Sequence, residues 1–326
     1  MSLNEGQAAS QNSAQIAQPA PIRLVLPATS ANLGPGFDTV GLAMALALTI
    51  EAEAAPASAS SLLTIEATGR NADRCARTSN NLIFETYRDL FQRAGRTVTP
   101  LHLRIRNEIP IGMGCGSSAA ALLAGVHLAN HFGELGWDQQ TCMAEACRRE
   151  GHPDNVAACV LGYLTVSTVV ASPSGDAVVA ATCGQTIPWK LLLALPSLSL
   201  ATEKARALLP AQYSRSDVVA NLQRTALLVS AFAQGRGDLL RVAMQDHLHQ
   251  PYRMEACPLL PLLLPLAGDS GIFGVALSGA GPAVLLVIEP NSTDSVTARV
   301  REAASDPSLE VLETSITSGA KVTLLS

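Results

Sequence analysis

The segment IPIGMGCGSSAAALLAG (residues 109–125) sets three glycines and two serines at the mouth of an alanine-rich run. Gly112, Gly114 and Gly116 let the backbone approach a ligand closely. A helix opening near Ser117 would aim its unpaired N–H groups and the positive end of its dipole at the same place. Phosphate can sit there without a side-chain cation. The pattern G-x-x-x-x-G-K-[ST] fails, because Ser117 and Ser118 stand where the lysine and its partner belong. The chain has only three lysines, Lys190, Lys204 and Lys321, all distant in sequence. The dinucleotide pattern G-x-G-x-x-G fails as well, and no acidic residue follows about twenty positions on at a strand end. Close helix–strand packing explains the alanines well, but explains three glycines beside two serines poorly.

A second cluster, EGHPDN (150–155), brings Glu150, His152, Asp154 and Asn155 together at the end of a predicted helix. A carboxylate here suits Mg²⁺, which takes hard oxygen ligands. A helix-ending turn explains the same residues equally well, with Pro153 the stop and Asp154 or Asn155 a cap. TSANLGPGFD (29–38) and LSGAGPAVLLV (277–287) are rich in turn formers, and each taken alone reads as a loop between strands.

These clusters need a scaffold, and 326 residues can bury a large core in two lobes. With 48% apolar and 15% charged residues the composition is that of a folded protein. A net charge of −5 argues against broad nucleic-acid or anionic-membrane binding. The longest apolar stretch, near 259–267, is short and broken by Pro261 and Pro265, so no membrane span is expected. Seven cysteines without C-x-x-C spacing suit a reducing, cytoplasmic setting and read as core filler. Residues 1–21 are mostly polar, with no signal-like apolar run, and read as a flexible tail.

Hydrophobic period places the motifs on elements. IRLVLPA (22–28), the apolar run up to residue 54, SLLTIEAT (61–68) and LHLRIRNEIP (101–110) read as strands, and NNLIFETYRDLFQRAG (80–95) reads as a helix. Helices are expected over 118–132 and 138–149, followed by strands in GYLTVSTVVAS and KLLLALPS. The second half reads as helices at 202–210, 214–233 and 237–248. Strands flank the turn in FGVALSGAGPAVLLVIEP (273–290), and a closing helix and strand lie in SVTARVREAAS and KVTLLS. A boundary near residues 185–200 divides the chain into a first lobe, 22–188, and a second, 189–326.

In order and spacing, PATSANLGPGFDTVGLAM, IPIGMGCGSSAAA and LSGAGPAV resemble the three motifs of the GHMP kinases. Within that family, EGHPDN, the T-x-x-x-R of Thr202 and Arg206, and DHLHQPYR ending at Arg253 are similar to the homoserine kinase branch. The resemblance runs from residue 22 to the end. It implies an α+β fold of two lobes, the first like domain 2 of ribosomal protein S5 and the second ferredoxin-like. It also implies transfer of phosphate from ATP, with Mg²⁺, to the hydroxyl of L-homoserine in threonine biosynthesis, and a homodimer, since such enzymes commonly are.

Carried onto this chain, the resemblance assigns Pro110, Ile111, Gly112, Met113, Gly114, Cys115, Gly116, Ser117, Ser118 and Ala119 to ATP. Glu150, in preference to Glu145, and Ser118 would hold the metal. Arg206 and Arg253 would grip the α-carboxylate, since guanidinium forks match it. Asn32, Asp38 and Asp154 would take the ammonium and hydroxyl, with His152, Thr202 and Gly279 completing the pocket. Asp154, Asn155 and Glu150 form the catalytic group. Some relatives place an aspartate where Asn155 stands, and an amide accepts no proton at neutral pH. Direct attack by the hydroxyl is therefore expected, its proton passing to solvent or a γ-phosphate oxygen, with Asp154 as base the competing scheme. Two carboxylate-gripping arginines disfavour galactose but leave a mevalonate-type kinase open. Intact Glu150, Ser117 and Ser118 disfavour an idle nucleotide sensor. Cys115 stands where the family usually has leucine, and a helix start can lower a thiol's pKa.

Overall fold

The computed structural model describes residues 19–56, 58–171, 175–198 and 202–325. Most of the expected tail, residues 1–18, lies outside them, as does the side chain of Thr202.

The first half of the chain runs β1 (Ile22–Asn32), β2 (Gly36–Ala54), β3 (Leu63–Gly69), α1 (Ala72–Cys75), α2 (Leu82–Arg93), β4 (Leu101–Asn107), α3 (Ser117–Phe132), α4 (Gln139–Glu150), α5 (Asp154–Leu161), β5 (Leu164–Val170) and β6 (Ala177–Cys183). The second half runs β7 (Lys190–Leu195), α6 (Thr202–Ala207), α7 (Arg215–Gln234), α8 (Leu240–Ala243), α9 (Gln250–Arg253), α10 (Leu259–Leu263), β8 (Ile272–Leu277), β9 (Val284–Ile288), α11 (Thr293–Ala303), β10 (Glu310–Ser315) and β11 (Lys321–Leu324).

Among the described residues, seven strands form one sheet in the order β11-β1-β2-β4-β3, with β5 on β2 and β6 on β5. The 19-residue β2 is long enough to pair twice, with β5 through Val40–Leu42 and with β4 through Leu48–Ala54. Alternation in β4 buries Leu101, Leu103 and Ile105 and turns Arg104 and Arg106 outward, as the period of two requires. Helix α3 packs against α2 and α4, and α5 lies against β1, β2 and β5. Helix α3 carries alanines and leucines all round and is buried along most of its length.

Four strands form the second sheet in the order β10-β7-β9-β8, all antiparallel, the spatial order of a ferredoxin-like unit. Both faces are covered. Leu191, Leu193, Leu285 and Val287 join the main core beneath α7, while Leu192, Val284, Leu286 and Ile288 form a smaller core with α10 and α11. Double coverage is why KLLLAL and VLLVI read as continuous apolar runs. The closing strand β11 does not belong to this sheet. It returns to pair with β1, Val25 opposite Lys321.

Elsewhere the expected elements shift. The helix expected over 237–248 is a 3₁₀ turn at Gly237–Leu239 and the single turn of α8. The chain then bends where Asp246 accepts the backbone N–H groups of Leu248, His249 and Gln250. Asp154 is not the cap of α5. Pro153 holds that position, and Asp154 and Asn155 are the helix's first two residues. The short helices α1, α5, α9 and α10 carry too few residues to show a helical period, and β6 and β10 lack a clean alternation of buried and exposed positions. No helix of the described residues is long and apolar enough to cross a membrane.

One buried amide joins the first sheet to the glycine loop. Asn107, at the end of β4, donates to the carbonyls of Arg70 (2.9 Å) and Ile109 (2.9 Å) and accepts the Ile109 N–H (3.1 Å). Asn107→Leu keeps the branched shape of the side chain but strands these three backbone groups. We expect a loss of about 2–4 kcal/mol in unfolding free energy, read from the urea midpoint.

Candidate active site

A cleft of about 500 Å³ runs between the two sheets' loops, and the sequence motifs line it together. Gly112, Gly114 and Gly116 all have left-handed backbone (φ 76°, 76° and 71°), alternating with Met113 and Cys115, which do not. Such alternation turns successive N–H groups to one side and makes an anion-binding concavity. Helix α3 starts from it with Gly116 as its N-cap and no side chain capping it, so the first N–H groups are left for a ligand.

The loop is held from two sides by backbone. Thr29 donates its N–H to the Cys115 carbonyl (3.1 Å), and Ala283 donates to that of Met113 (3.3 Å). Ser278 Oγ donates to the Gly114 carbonyl (2.9 Å), while Gly279 N–H donates to Ala31 (3.1 Å). A methyl group on Gly114 would lie 2.0 Å from the Ser278 carbonyl oxygen, and one on Gly116 would lie 1.9 Å from Thr29 Oγ1. The glycines are therefore required twice, by conformation and by space. Of the ten residues assigned to the loop, Ile111, Gly112, Gly114, Cys115, Gly116, Ser117 and Ser118 line the cleft. Pro110, Met113 and Ala119 do not; they support it from the core side. The Cys115 side chain is buried in the main core, and burial pushes its thiol up to about 12, so a reactive thiolate is not available there.

Glu150 ends α4 at the edge of the cradle, where its carboxylate accepts from Ser118 Oγ at 2.8 Å. Glu145, one turn earlier, is buried, paired with Arg148 and Arg149, and lines no part of the cleft. Burial pushes the pKa of Glu150 up, against the opposing pull of Ser118 and His152. A carboxylate so placed gains from a nearby cation, and the Oε2–Oγ pair offers the hard oxygens that Mg²⁺ prefers.

The polar end of the cleft gathers the remaining predicted residues. Asp154 Oδ1 accepts from His152 Nδ1 (2.5 Å) and from the Asn155 N–H (2.7 Å), and Asp154 itself is almost fully buried. Burial pulls His152 down, but its bond to Asp154 and the charges of Asp154 and Glu150 outweigh this and hold its pKa raised. Thr29 Oγ1 donates to Asn155 Oδ1 (2.7 Å), so the amide turns its NH₂ toward Asp154. Asn32 Nδ2 donates to the Gly279 carbonyl (3.0 Å), and its Oδ1 accepts the Asp38 N–H (3.1 Å).

The two arginines differ. Arg206 does not present a free fork: it grips Asp38 through both nitrogens, at 2.5 and 3.1 Å. Arg253 is 1% exposed and touches only neutral acceptors, the Ala205 carbonyl (3.2 Å), His249 Nδ1 (3.0 Å) and the Gly279 carbonyl (3.5 Å). Both guanidinium groups lie near the Phe37 ring, at 5.5 and 5.7 Å. Thr202 opens α6, and its side chain lies outside the described residues. Asp38, His152 and Asp154 also form a group whose ligand atoms lie within 4.8 Å of one another. The ion pairs just described account for that grouping.

Sequence reasoning missed the other end. Arg74, Arg77, Ser79, Asn80 and Asn81 line it with the apolar Leu48, Ile83, Ile105 and Ile109. An apolar slot edged by amides and arginines suits a flat heterocycle joined to phosphates. The visible signal was RCARTSNN (74–81), a basic and amide-rich run before a helix.

Comparison with known proteins gives a consistent result. Residues 81–163 match the model of the GHMP kinases N terminal domain, and residues 228–306 match that of the GHMP kinases C terminal domain. The chain is 44% identical over 266 residues to a homoserine kinase of Solibacter usitatus, covering 82% of this chain and 84% of that protein. It is 36% identical over 285 residues to a homoserine kinase of Synechocystis, covering 87% and 92%. A crystal structure of homoserine kinase from Cytophaga hutchinsonii superposes with a TM-score of 0.76 at 22% identity, covering 94% of this chain and 98% of that one, which speaks to the fold.

Two glycines separate conformation from space. Gly151 has φ 89° with nothing within 4 Å of an added methyl, whereas Gly116 faces Thr29. Gly151→Ala is expected to cost about 1 kcal/mol of stability through backbone strain alone. Gly116→Ala is expected to cost about 3 kcal/mol and to abolish detectable ATP binding by titration calorimetry.

Proposed function

The chain belongs to the GHMP kinase family, and from that premise we propose that it transfers the γ-phosphoryl group of ATP to the side-chain hydroxyl of L-homoserine, giving ADP and O-phospho-L-homoserine on the route to threonine. The observation that carries the substrate is the buried Arg253, a guanidinium with no carboxylate partner among the described residues, which shares the Phe37 ring with Arg206 of the Asp38–Arg206 pair. A zwitterionic amino acid answers both: its carboxylate meets Arg253 and Arg206, and its ammonium meets Asp38 and Asp154. In its absence Asp38 and Arg206 neutralise each other, so neither charge is stranded in a partly buried site. The 44% identity to a homoserine kinase over most of both chains supports the same choice. Seven free thiols suit a reducing cytoplasm.

The glycine loop and the start of α3 receive the phosphates, and the slot beyond Asn107 receives the base. Held by its charged groups, the amino acid lays its hydroxyl toward the cradle, between Asp154 and Asn155. The hydroxyl oxygen attacks the γ-phosphorus, the bond to the β–γ bridging oxygen breaks, and ADP leaves. Asn155, whose Oδ1 is engaged by Thr29, can donate through its NH₂ but cannot take the proton. That proton goes to a γ-phosphate oxygen or to solvent. Glu150 and Ser118 fit a Mg²⁺ ion, which when bound would neutralise triphosphate charge.

ADP release should be measured with Mg²⁺ATP and, in turn, L-homoserine, L-serine, L-threonine, mevalonate and galactose. We expect turnover with L-homoserine to exceed every other acceptor by about a hundredfold or more in kcat/KM. Preference for mevalonate would overturn the substrate and leave phosphoryl transfer standing; no turnover with any alcohol would overturn both. Asp154→Asn is expected to raise the homoserine KM about tenfold with a smaller fall in kcat. A kcat lowered by orders of magnitude at unchanged KM would make Asp154 the base instead.

A further inference from the structure

His249 lies within DHLHQPYR, a motif that assigns a role to Arg253 alone; it lines no part of the cleft and is 0% exposed, yet its ring makes two directed polar contacts. Nδ1 lies 3.0 Å from Arg253 Nη1, and Nε2 lies 2.8 Å from the Gly34 carbonyl oxygen. An arginine nitrogen can only donate, so Nδ1 must carry the lone pair; a carbonyl can only accept, so Nε2 must carry the proton. One neutral tautomer satisfies both. Burial holds the imidazole pKa below its ordinary value, with Arg253 adding to this against the pull of Asp246, whose Oδ2 lies 3.6 Å from Nε2. The remaining charged neighbour is Asp38, whose smaller pull is also upward.

The ring is itself fixed. Asp246 accepts the N–H groups of residues 248, 249 and 250, and Asn221 Nδ2 donates to Asp246 Oδ1 at 3.1 Å. Phe37, in the first motif, stacks on the imidazole with centroids 5.4 Å apart. Gly34, the other anchor, packs so closely that a methyl on its α-carbon would lie 2.1 Å from the Met244 carbonyl oxygen. The Arg253 fork thus has its Nε tied to Ala205 and its Nη1 to His249, and among the described residues only Nη2 has no protein partner.

We propose that His249 is a positioning residue: as the Nε2-protonated tautomer it accepts from Arg253 and aims the free edge of that guanidinium at the carboxylate of the amino-acid substrate. The role rests on the homoserine kinase reading of the cleft and adds to it the group that sets the arginine's angle. An aromatic filler would need no acceptor at Nδ1, so the two roles predict different variants. His249→Phe keeps the ring and its stacking on Phe37 but loses the acceptor. His249→Asn places an amide oxygen near the position of Nδ1 and so restores it.

The test is steady-state kinetics on the full-length protein with L-homoserine and ATP varied separately, together with ¹⁵N NMR of histidine-labelled wild type. For His249→Phe we expect the homoserine KM to rise about tenfold or more, the loss of a hydrogen bond to a charged group, with ATP KM changed by less than about twofold. His249→Asn should recover most of that rise. In the wild type the His249 ring should show a protonated Nε2 and an unprotonated Nδ1. A homoserine KM in His249→Phe within about twofold of wild type would overturn the proposal. So would a parallel rise of both KM values, the signature of a merely loosened core. A ring protonated at Nδ1 would overturn it even if the phenylalanine variant fails to fold. Absence of homoserine turnover in the wild type would instead overturn the reading of the function, and the NMR result would then still decide the contact.

Discussion

Three stretches of backbone approach one another so closely at the head of the cleft that no side chain fits between them. The glycine loop touches the end of β1 through Thr29 and the β8–β9 turn through Ser278, and Gly279 in turn bonds Ala31. Each contact joins segments far apart in the chain, and each tolerates only hydrogen at the α-carbon where it is tightest. The anion cradle is therefore a property of the assembled fold rather than of the loop. An isolated glycine loop would lose much conformational entropy on adopting three left-handed residues. Here that cost is offset by backbone hydrogen bonds to two sheets.

The charge pattern follows from this arrangement. In the proposed reading backbone dipoles serve the phosphate end, so the site would need no lysine there and its arginines would serve the other substrate. Glu150 and Asp154 sit on opposite sides of a tight turn between two helices, one at the end of α4 and one at the start of α5. The two carboxylates have different partners: Glu150 accepts from Ser118 beside the glycine loop, while Asp154 pairs with His152. Arg206 and Asp38 pair with each other, and in the proposed reading a bound zwitterion would divide them. Exchange of one ion pair for two of the same kind would leave little net electrostatic change, so selectivity would rest on placing both charges at once.

Much of this was legible in the residues. Strands with clean alternation, such as β4, and long periodic helices, such as α2 and α7, show their period directly. The glycine loop pointed to an anion site from its residues alone, and the fold adds that close packing on Ser278 and Thr29 also requires Gly114 and Gly116. Single short segments were silent for a physical reason: α5 and α9 form because their neighbours hold them, not because four to eight residues are stable helices alone. The ion pair between Asp38 and Arg206 joins positions 168 apart and leaves no trace in either local segment. His249 was equally hidden: it stands four residues before Arg253 in DHLHQPYR, and only the fold shows it buried against that guanidinium. Cys115 needed the fold to settle it, for a helix start and a buried core pull a thiol in opposite directions, and burial prevails.

The return of β11 to the first sheet bears on how the cleft works. The second sheet is entered through β7 and left through β10, and the chain then pairs along β1. Between them, Ile316 bridges to Met44, Ser318 bridges to Gly162, and Gly319 packs where a methyl would strike the Val160 carbonyl at 2.1 Å. The β8–β9 turn is thus carried on a unit stapled to the first sheet at its exit as well as its entry. A turn held this way keeps its register with the glycine loop, and with it the distance from the Gly279 carbonyl to Asn32 on one side and Arg253 on the other. Phosphoryl transfer draws most of its catalysis from fixed placement of charged groups, so a loose second unit would lose more in orientation than it gained in access. At the other end of the cleft Arg206 sits on the six-residue α6, tied to the site by its partly buried pair with Asp38 and by the Ala205 carbonyl that accepts from Arg253 Nε.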